Sequence, residues 1–366
     1  MRVPWDTGTI RCRSQHPAGA ENGRVSAHPP SPTDRPPPLG LFIGLTTFDT
    51  VYQVRRPPHA DEKIVAEQFM TAAGGPATGA AVTFAHLGGR AVLLSAIGTG
   101  PLAQAVRADL AATGVTTLDL RPDAATLPIS AIMVSASTGQ RSVASAHGQP
   151  PPTAPDGMPP EAAMARACAE AGALLPRASV VLLDGHQPAA ALEIMTALAA
   201  VRPRSGIGRR PLVILDAGSW KPGTDQLLPH LDIVISGAAF RPPTRTDSTG
   251  LMDDAAGADS GDAVTRTLRY LLAHGPSFAA VTAGPGPIRW ADATGHGTVT
   301  PPAVHAVDTL GAGDVLHGAF AWAVAQGAGA GRADLVAALT SASGVASRSV
   351  ESFGSRAWLG PAPTSD

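Results

Sequence analysis

The stretch VDTLGAGDVLHGAFAW, Val307 to Trp322, sets two glycines and a carboxylate directly before an apolar run. Gly311 and Gly313 permit backbone angles closed to other residues and let a ligand approach the main chain closely. The apolar run predicts a buried helix, and the free N–H groups at its start, with the helix dipole behind them, suit a phosphate or a developing oxyanion. Asp314, in the first turn, puts an ionised carboxylate beside that anion site. Such a pair makes sense if the acid takes a proton from a hydroxyl that attacks a phosphorus held by the loop. A glycine turn that merely caps a helix is the plainer reading of GAGD taken alone.

A loop of this kind needs a sheet behind it. From about residue 161 the helical segments EAAMARACAEAGALL and PAAALEIMTALAAV alternate with the apolar strands SVVLLDG, PLVILDAG and DIVISG, a pattern that predicts a parallel, doubly wound sheet flanked by helices. Leu39 to Asp49, LGLFIGLTTFD, reads as the first buried strand, ending in an acid. GGPATGAAVTFAHLGG reads as a glycine turn entering an Ala-rich helix, while SAIMVSA pairs with RSVASAH across STGQ as part of a small β-rich insert. Residues 1–38 are polar and proline-rich and predict a disordered tail; 39–361 form one domain and 362–366 a short tail.

The 366 residues are 44% hydrophobic but only 4% aromatic, so the core must be built from Ala, Val and Leu. Twenty-seven basic and 29 acidic residues are scattered to a net charge of -2, which leaves no footprint for nucleic acid or an anionic membrane. Cys12 and Cys168 fit no metal spacing and no disulfide framework, and no stretch has the length and apolarity of a membrane span. The composition predicts a soluble cytoplasmic protein with a small-molecule partner.

DTLGAGD, Asp308 to Asp314, resembles the D-T-x-G-A-G-D signature of the ribokinase/PfkB carbohydrate kinase family, matching six of its seven positions with the seventh variable. The resemblance runs from about residue 40 to 361 and includes GG before a helix and VTAG ahead of the signature. It implies a ribokinase-like fold with a β lid from 51–72 and about 116–149, an ATP-dependent sugar kinase, magnesium on the nucleotide and a homodimer formed through the lid. Asp314 would be the base and Gly311, Ala312 and Gly313 the anion hole. Asp49, Gly74, Gly75 and Gly79 would face the sugar, Arg141 would reach in from the lid, and Thr282, Gly284 and Thr309 would adjoin the nucleotide. Asp308 would lie at a monovalent-cation site, with potassium as the ion.

Each of these positions also has a bland reading. Asp308 can cap local backbone, Asp49 can form a turn, the paired glycines can be a simple bend, the strand end at Thr282 and Gly284 can carry no ligand, and Arg141 can be solvated. His147, His186 and His317 read as structural or exposed. Three departures stand out. Gly79 occupies the place of a sugar-binding Asn, which implies a roomier, less polar pocket at that point. Ser236 to Phe240, SGAAF, lacks the Asn-x-x-Glu motif, as ketohexokinase-like and sulfofructose-kinase-like members also do; and Pro287 stands where a glycine is common. A ketose or related monosaccharide is the expected acceptor. A nucleoside kinase of the same fold and a catalytically weak sugar- or nucleotide-binding protein are the rivals.

Overall fold

The computed structural model describes residues 36–124, 126–146, 160–201, 210–243, 262–327 and 331–360. Short apolar runs build its main sheet: β1 (Leu39–Ile43), β4 (Arg90–Ser95), β5 (Val115–Asp119), β8 (Ala178–Leu183), β9 (Leu212–Ala217), β10 (Ile233–Gly237), β11 (Phe278–Ala283), β12 (Gly286–Asp292) and β13 (Gly295–Val299). Their order is β13-β12-β11-β10-β9-β8-β1-β4-β5, with only β12 and β13 antiparallel to their neighbours.

Neighbouring residues of β1 serve opposite sides, as a strand buried on both faces requires. Phe42 meets Phe84 with ring centroids 5.3 Å apart, in a core shared with α1 (Pro76–His86), α2 (Pro101–Ala112), α7 (Ala312–Gln326) and α8 (Arg332–Ser349). Leu41 and Ile43 pack instead with α3 (Pro160–Gly172), α4 (Pro188–Ala200), α5 (Thr224–Leu227) and α6 (Ala263–Ala273). From β1 the chain winds outward through β4 and β5, then crosses back to β8 and proceeds the other way through β9 to β11. The reversal between β1 and β8 creates the crevice at the strands' carboxyl ends where ligands of such sheets bind.

A second sheet, ordered β3-β2-β6-β7, forms from β2 (Thr47–Val54), β3 (Gln68–Gly74), β6 (Ile129–Ser135) and β7 (Arg141–Ala146). It corresponds to the expected lid, with three differences. The segment from Leu39 to Asp49 is two strands rather than one, so Asp49 belongs to the lid strand β2 and not to the end of β1. The break follows from Gly44, where any side chain would run into the Asp184 carboxylate seated at the end of β8. Residues 116–119 lie in β5, paired in parallel with β4 in the large sheet, so the lid's second segment starts later than 116. Pro38 already joins the fold, its carbonyl accepting from Arg90 N at 2.8 Å. The rest of the proposed tail, residues 1–35, lies outside the described residues, as do 362–366 and His147.

Candidate active site

The paired glycines have separate physical reasons. A Cβ on Gly74 would collide with the Asp49 carboxylate, which packs across β3 at that point, and Gly75, with φ +100°, caps α1 where a side chain would meet the Leu45 carbonyl. Pro76 then fits the first helical position, which needs no N–H partner. Asp184 ties these pieces together, accepting from the backbone N–H of Leu45 at 2.8 Å, Ala77 at 3.1 Å and His186 at 2.9 Å. The acid ending VVLLD was legible as a strand end; its partners were not, because they come from three separate elements.

The signature loop is fixed from two sides. Gly311, with φ +73°, starts α7 with no side-chain cap, which leaves the first-turn N–H groups of Gly313 and Asp314 without intrahelical acceptors. Gly313 has open space where a side chain would stand. Thr309 is bound to the lid turn, its N and Oγ1 both donating to Gly139 O at 3.2 and 3.0 Å. Arg141, on β7, donates from Nη1 to Thr309 O at 3.0 Å and so touches the signature loop, but it does not line the pocket around Asp314. Asp308 accepts from Leu310 N at 2.8 Å and Gly354 N at 2.9 Å, which is the backbone-capping geometry. Burial pushes its carboxyl up against the opposing effect of those two amides and of Arg141.

One pocket collects Asp49, Gly74, Gly75, Gly79, Gly311 and Asp314 with Ala73, Val82, Thr83, Leu310, Val315, Ser355 and Arg356. Asp314 is held well above the ordinary carboxylate range, first by burial and then by the negative charge of Asp216, with Asp49 and Asp184 adding to the effect and Arg141 opposing it. Asp49 is raised by burial against hydrogen bonds from Thr47 and Ser130 and the nearby Arg356 charge. Thr47 Oγ1 donates to Asp49 Oδ1 at 2.6 Å and so orients the carboxylate.

Gly79 lines the pocket but leaves no room in it. The space a side chain would take is filled by Asp314, whose Cβ would stand 2.7 Å from a Cβ at position 79. The expectation of a roomier pocket at Gly79 is therefore corrected: the glycine accommodates the acid. Thr282 and Gly284 lie at the carboxyl end of β11, outside this pocket. Thr282 Oγ1 donates to Ser236 O at 3.3 Å, and Gly284, with φ +59°, opens the tight turn into β12.

Arg356 was not anticipated. Its Nη2 donates to Ala73 O at 2.7 Å and Asp109 Oδ2 at 2.8 Å, and its buried Nε has no partner. No sequence pattern marks it, since it arrives from the loop after α8. Asp216, which the sequence did not mark, and His317, which read as structural or exposed, meet beneath the start of the signature helix with Nδ1 3.2 Å from Oδ2.

The arrangement joins a half-buried carboxylate to an open helix N-terminus and a cleft, which is equipment for moving a phosphoryl group onto a hydroxyl. Residues 41–360 match the model of the pfkB family carbohydrate kinases, and the chain belongs to that family. It is a carbohydrate kinase, a phosphotransferase with an alcohol group as acceptor. The chain is 26% identical over 314 residues to the ribokinase of Bacillus subtilis (strain 168), covering 86% of this chain and 93% of that protein. Among solved structures, ribokinase from Giardia lamblia superposes with a TM-score of 0.68 at 17% identity, covering 88% of this chain and 96% of that one. Arabidopsis thaliana ribokinase complexed with ribose and ATP superposes with a TM-score of 0.58 at 20% identity, covering 89% and 100%. Both likenesses support the ribokinase-like fold. No helix among the described residues is long and apolar enough to cross a membrane.

Proposed function

We propose that the chain is an ATP-dependent sugar kinase that transfers the γ-phosphoryl group to a hydroxyl of a monosaccharide, with a ketose or related sugar as acceptor. Asp314 is the base, and Gly311, Ala312 and Gly313 are the anion hole. The observation that carries this reading is that Asp314, Gly311 and Asp49 line one pocket. It supplies a proton acceptor, an anion site and a carboxylate for sugar hydroxyls within one cleft.

In this reading Asp49, backed by Gly74 and Gly75, accepts hydrogen bonds from sugar hydroxyls and holds the reacting oxygen toward Asp314. Burial raises the proton affinity of Asp314, so the ionised carboxylate draws the hydroxyl proton to itself as the oxygen attacks. Of the anion hole, Gly313 offers a free N–H, and with the N–H of Asp314 beside it and the positive end of α7 it receives the charge on the transferred group. Thr282, Gly284 and Thr309 border the nucleotide, and Arg141 holds the lid against the signature loop. Closure excludes water and limits wasted hydrolysis.

Among the described residues no three His, Cys, Asp or Glu side chains are grouped to hold a metal. Magnesium would be carried on the nucleotide's phosphates and completed by water, where it would neutralise phosphate charge. A potassium ion at Asp308 would share its carboxylate with the amides of Leu310 and Gly354. The outer face of the lid supports a homodimer: Tyr52 and Phe69 face each other with ring centroids 4.9 Å apart, and they are 37% and 56% exposed. A cytoplasmic location accords with ATP as donor.

Among the described residues the pocket lining is aliphatic and polar, which favours a sugar over a nucleoside base. Retention of the base favours catalysis over binding alone. A coupled ADP-release screen over ketoses, aldoses, sugar acids, phosphosugars and nucleosides tests the reading. Turnover greatest on a ketose supports it; turnover confined to nucleosides, or none on any acceptor, overturns it.

A further inference from the structure

His317 sits one turn along α7 from Asp314 and is buried, with 4% of its surface exposed. Its Nδ1 lies 2.7 Å from Gly313 O, and its Nε2 lies 3.0 Å from Ile235 O on β10. A carbonyl oxygen only accepts, so both ring nitrogens must carry hydrogen to make these bonds, and only the imidazolium does so. The counter-charge is at hand: Asp216 Oδ2, at the end of β9, lies 3.2 Å from Nδ1 and has no other partner. A neutral ring would turn one lone pair toward a carbonyl and leave the buried Asp216 carboxylate with only the Lys221 charge to offset it, two costs that a dry interior magnifies.

We propose that His317 is a positioning residue for the phosphoryl-transfer site, held as an imidazolium that fastens the first turn of α7 to β9 and β10 and offsets the Asp216 charge that Asp314 would otherwise face. Through Gly313 O it fixes the turn whose N–H groups form the anion hole. Through Asp216 it governs how much negative charge stands behind the base.

The charges around Asp314 come from several elements: Asp216 on β9, Asp184 after β8, Asp49 on β2 and Arg141 on β7. Lys221, in the loop after β9, also acts on Asp216. From α1, Gly79 abuts Asp314, and Ala80 and Thr83 abut Gly318; none of them titrates. The charged residues of α8, Arg332, Asp334 and Arg348, lie on its exposed side. His317 is therefore the cation placed between Asp216 and the start of α7.

The functional weight of the inference rests on Asp314 being the base, but its test needs no acceptor. NMR of the 15N-labelled wild-type imidazole reads both ring nitrogens, and 13C NMR of the aspartate carboxyls, assigned with Asp314→Asn, reads the titration midpoint of Asp314. Both His317 nitrogens are expected to carry hydrogen in the wild type, as their two carbonyl partners require. In His317→Asn the Asp314 midpoint moves up by about one pH unit, the scale on which a nearby charge shifts a carboxyl. In Asp216→Asn it moves down, and the double variant returns it toward the wild-type value. A His317 nitrogen without hydrogen in the wild type overturns the proposal even if His317→Asn fails to fold. So does an unmoved Asp314 midpoint in the folded variant. Near-normal ADP release by Asp314→Asn with D-fructose or D-ribose would instead sink the base assignment and leave the imidazolium pair standing.

Discussion

Gly79 lies directly against Asp314, such that a Cβ at position 79 would come within 2.7 Å of Asp314 Cβ and 3.0 Å of its Oδ2. The helix α1 carries Gly79 and the helix α7 carries Asp314, so this contact sets how closely the two helices can approach beside the pocket. An Asn at this position cannot be inserted without displacing the acid.

Gly79→Asn is accordingly expected to lower kcat by about a hundredfold on every acceptor, the scale of loss when a catalytic group is moved by an ångström. Gly79→Ala should show a smaller loss in the same direction. Steady-state kinetics on D-fructose and D-ribose, with circular dichroism to confirm folding, check this. A gain on either sugar would show that α1 yields and Asp314 keeps its place.

Asp314→Asn should reduce turnover by about a hundredfold or more, as loss of a positioned base does. Its effect on stability has the opposite sign. The folded state holds this carboxyl's pKa above its unfolded value, so Asp314 costs stability increasingly as pH rises from the unfolded pKa to the folded one, and the cost is complete above that. The Asn variant should therefore melt at a higher temperature than the wild type at neutral pH and at nearly the same temperature in acid. Thermal melts at both pH values, beside an ADP-release assay, read the two effects separately.

Arg356→Leu removes the guanidinium that links Ala73 O and Asp109 to the pocket wall and whose Nε is left free to donate. The KM for the sugar should rise about tenfold, in keeping with loss of a charged hydrogen bond, while the KM for ATP stays within about twofold. Equal changes in both constants would mean that Arg356 only braces the loop after α8.

Phe69→Glu places a charge in the exposed apolar patch of the lid. If that patch joins two copies, the variant should elute as a monomer where the wild type is a dimer, as measured by light scattering at matched concentration. A wild type that is monomeric throughout would reject the lid as the interface.

Local pattern determined a good deal by itself. The alternation of apolar strands with helices from residue 161 onward specifies a doubly wound parallel sheet, because strands buried on both faces need helices on both sides. The signature loop could also be read directly, since glycines before an apolar helix carry their backbone chemistry wherever they lie. Asp49 was recognisable as a candidate, but its strand was not. The break at Gly44 depends on Asp184, 140 positions further along, and only the folded crevice brings that carboxylate to the end of β1.

The remaining features belong to the tertiary structure alone. Gly79 read as an empty place in a sugar pocket until α7 supplied the side chain that fills it. Arg356 has no periodicity or motif to mark it, and its place in the pocket comes from the fold of the chain's last loop. His317 looked like one more helical histidine. Its two carbonyl partners and the carboxylate beside it are drawn from α7, β10 and β9, and partners gathered from distant segments leave no trace in local sequence.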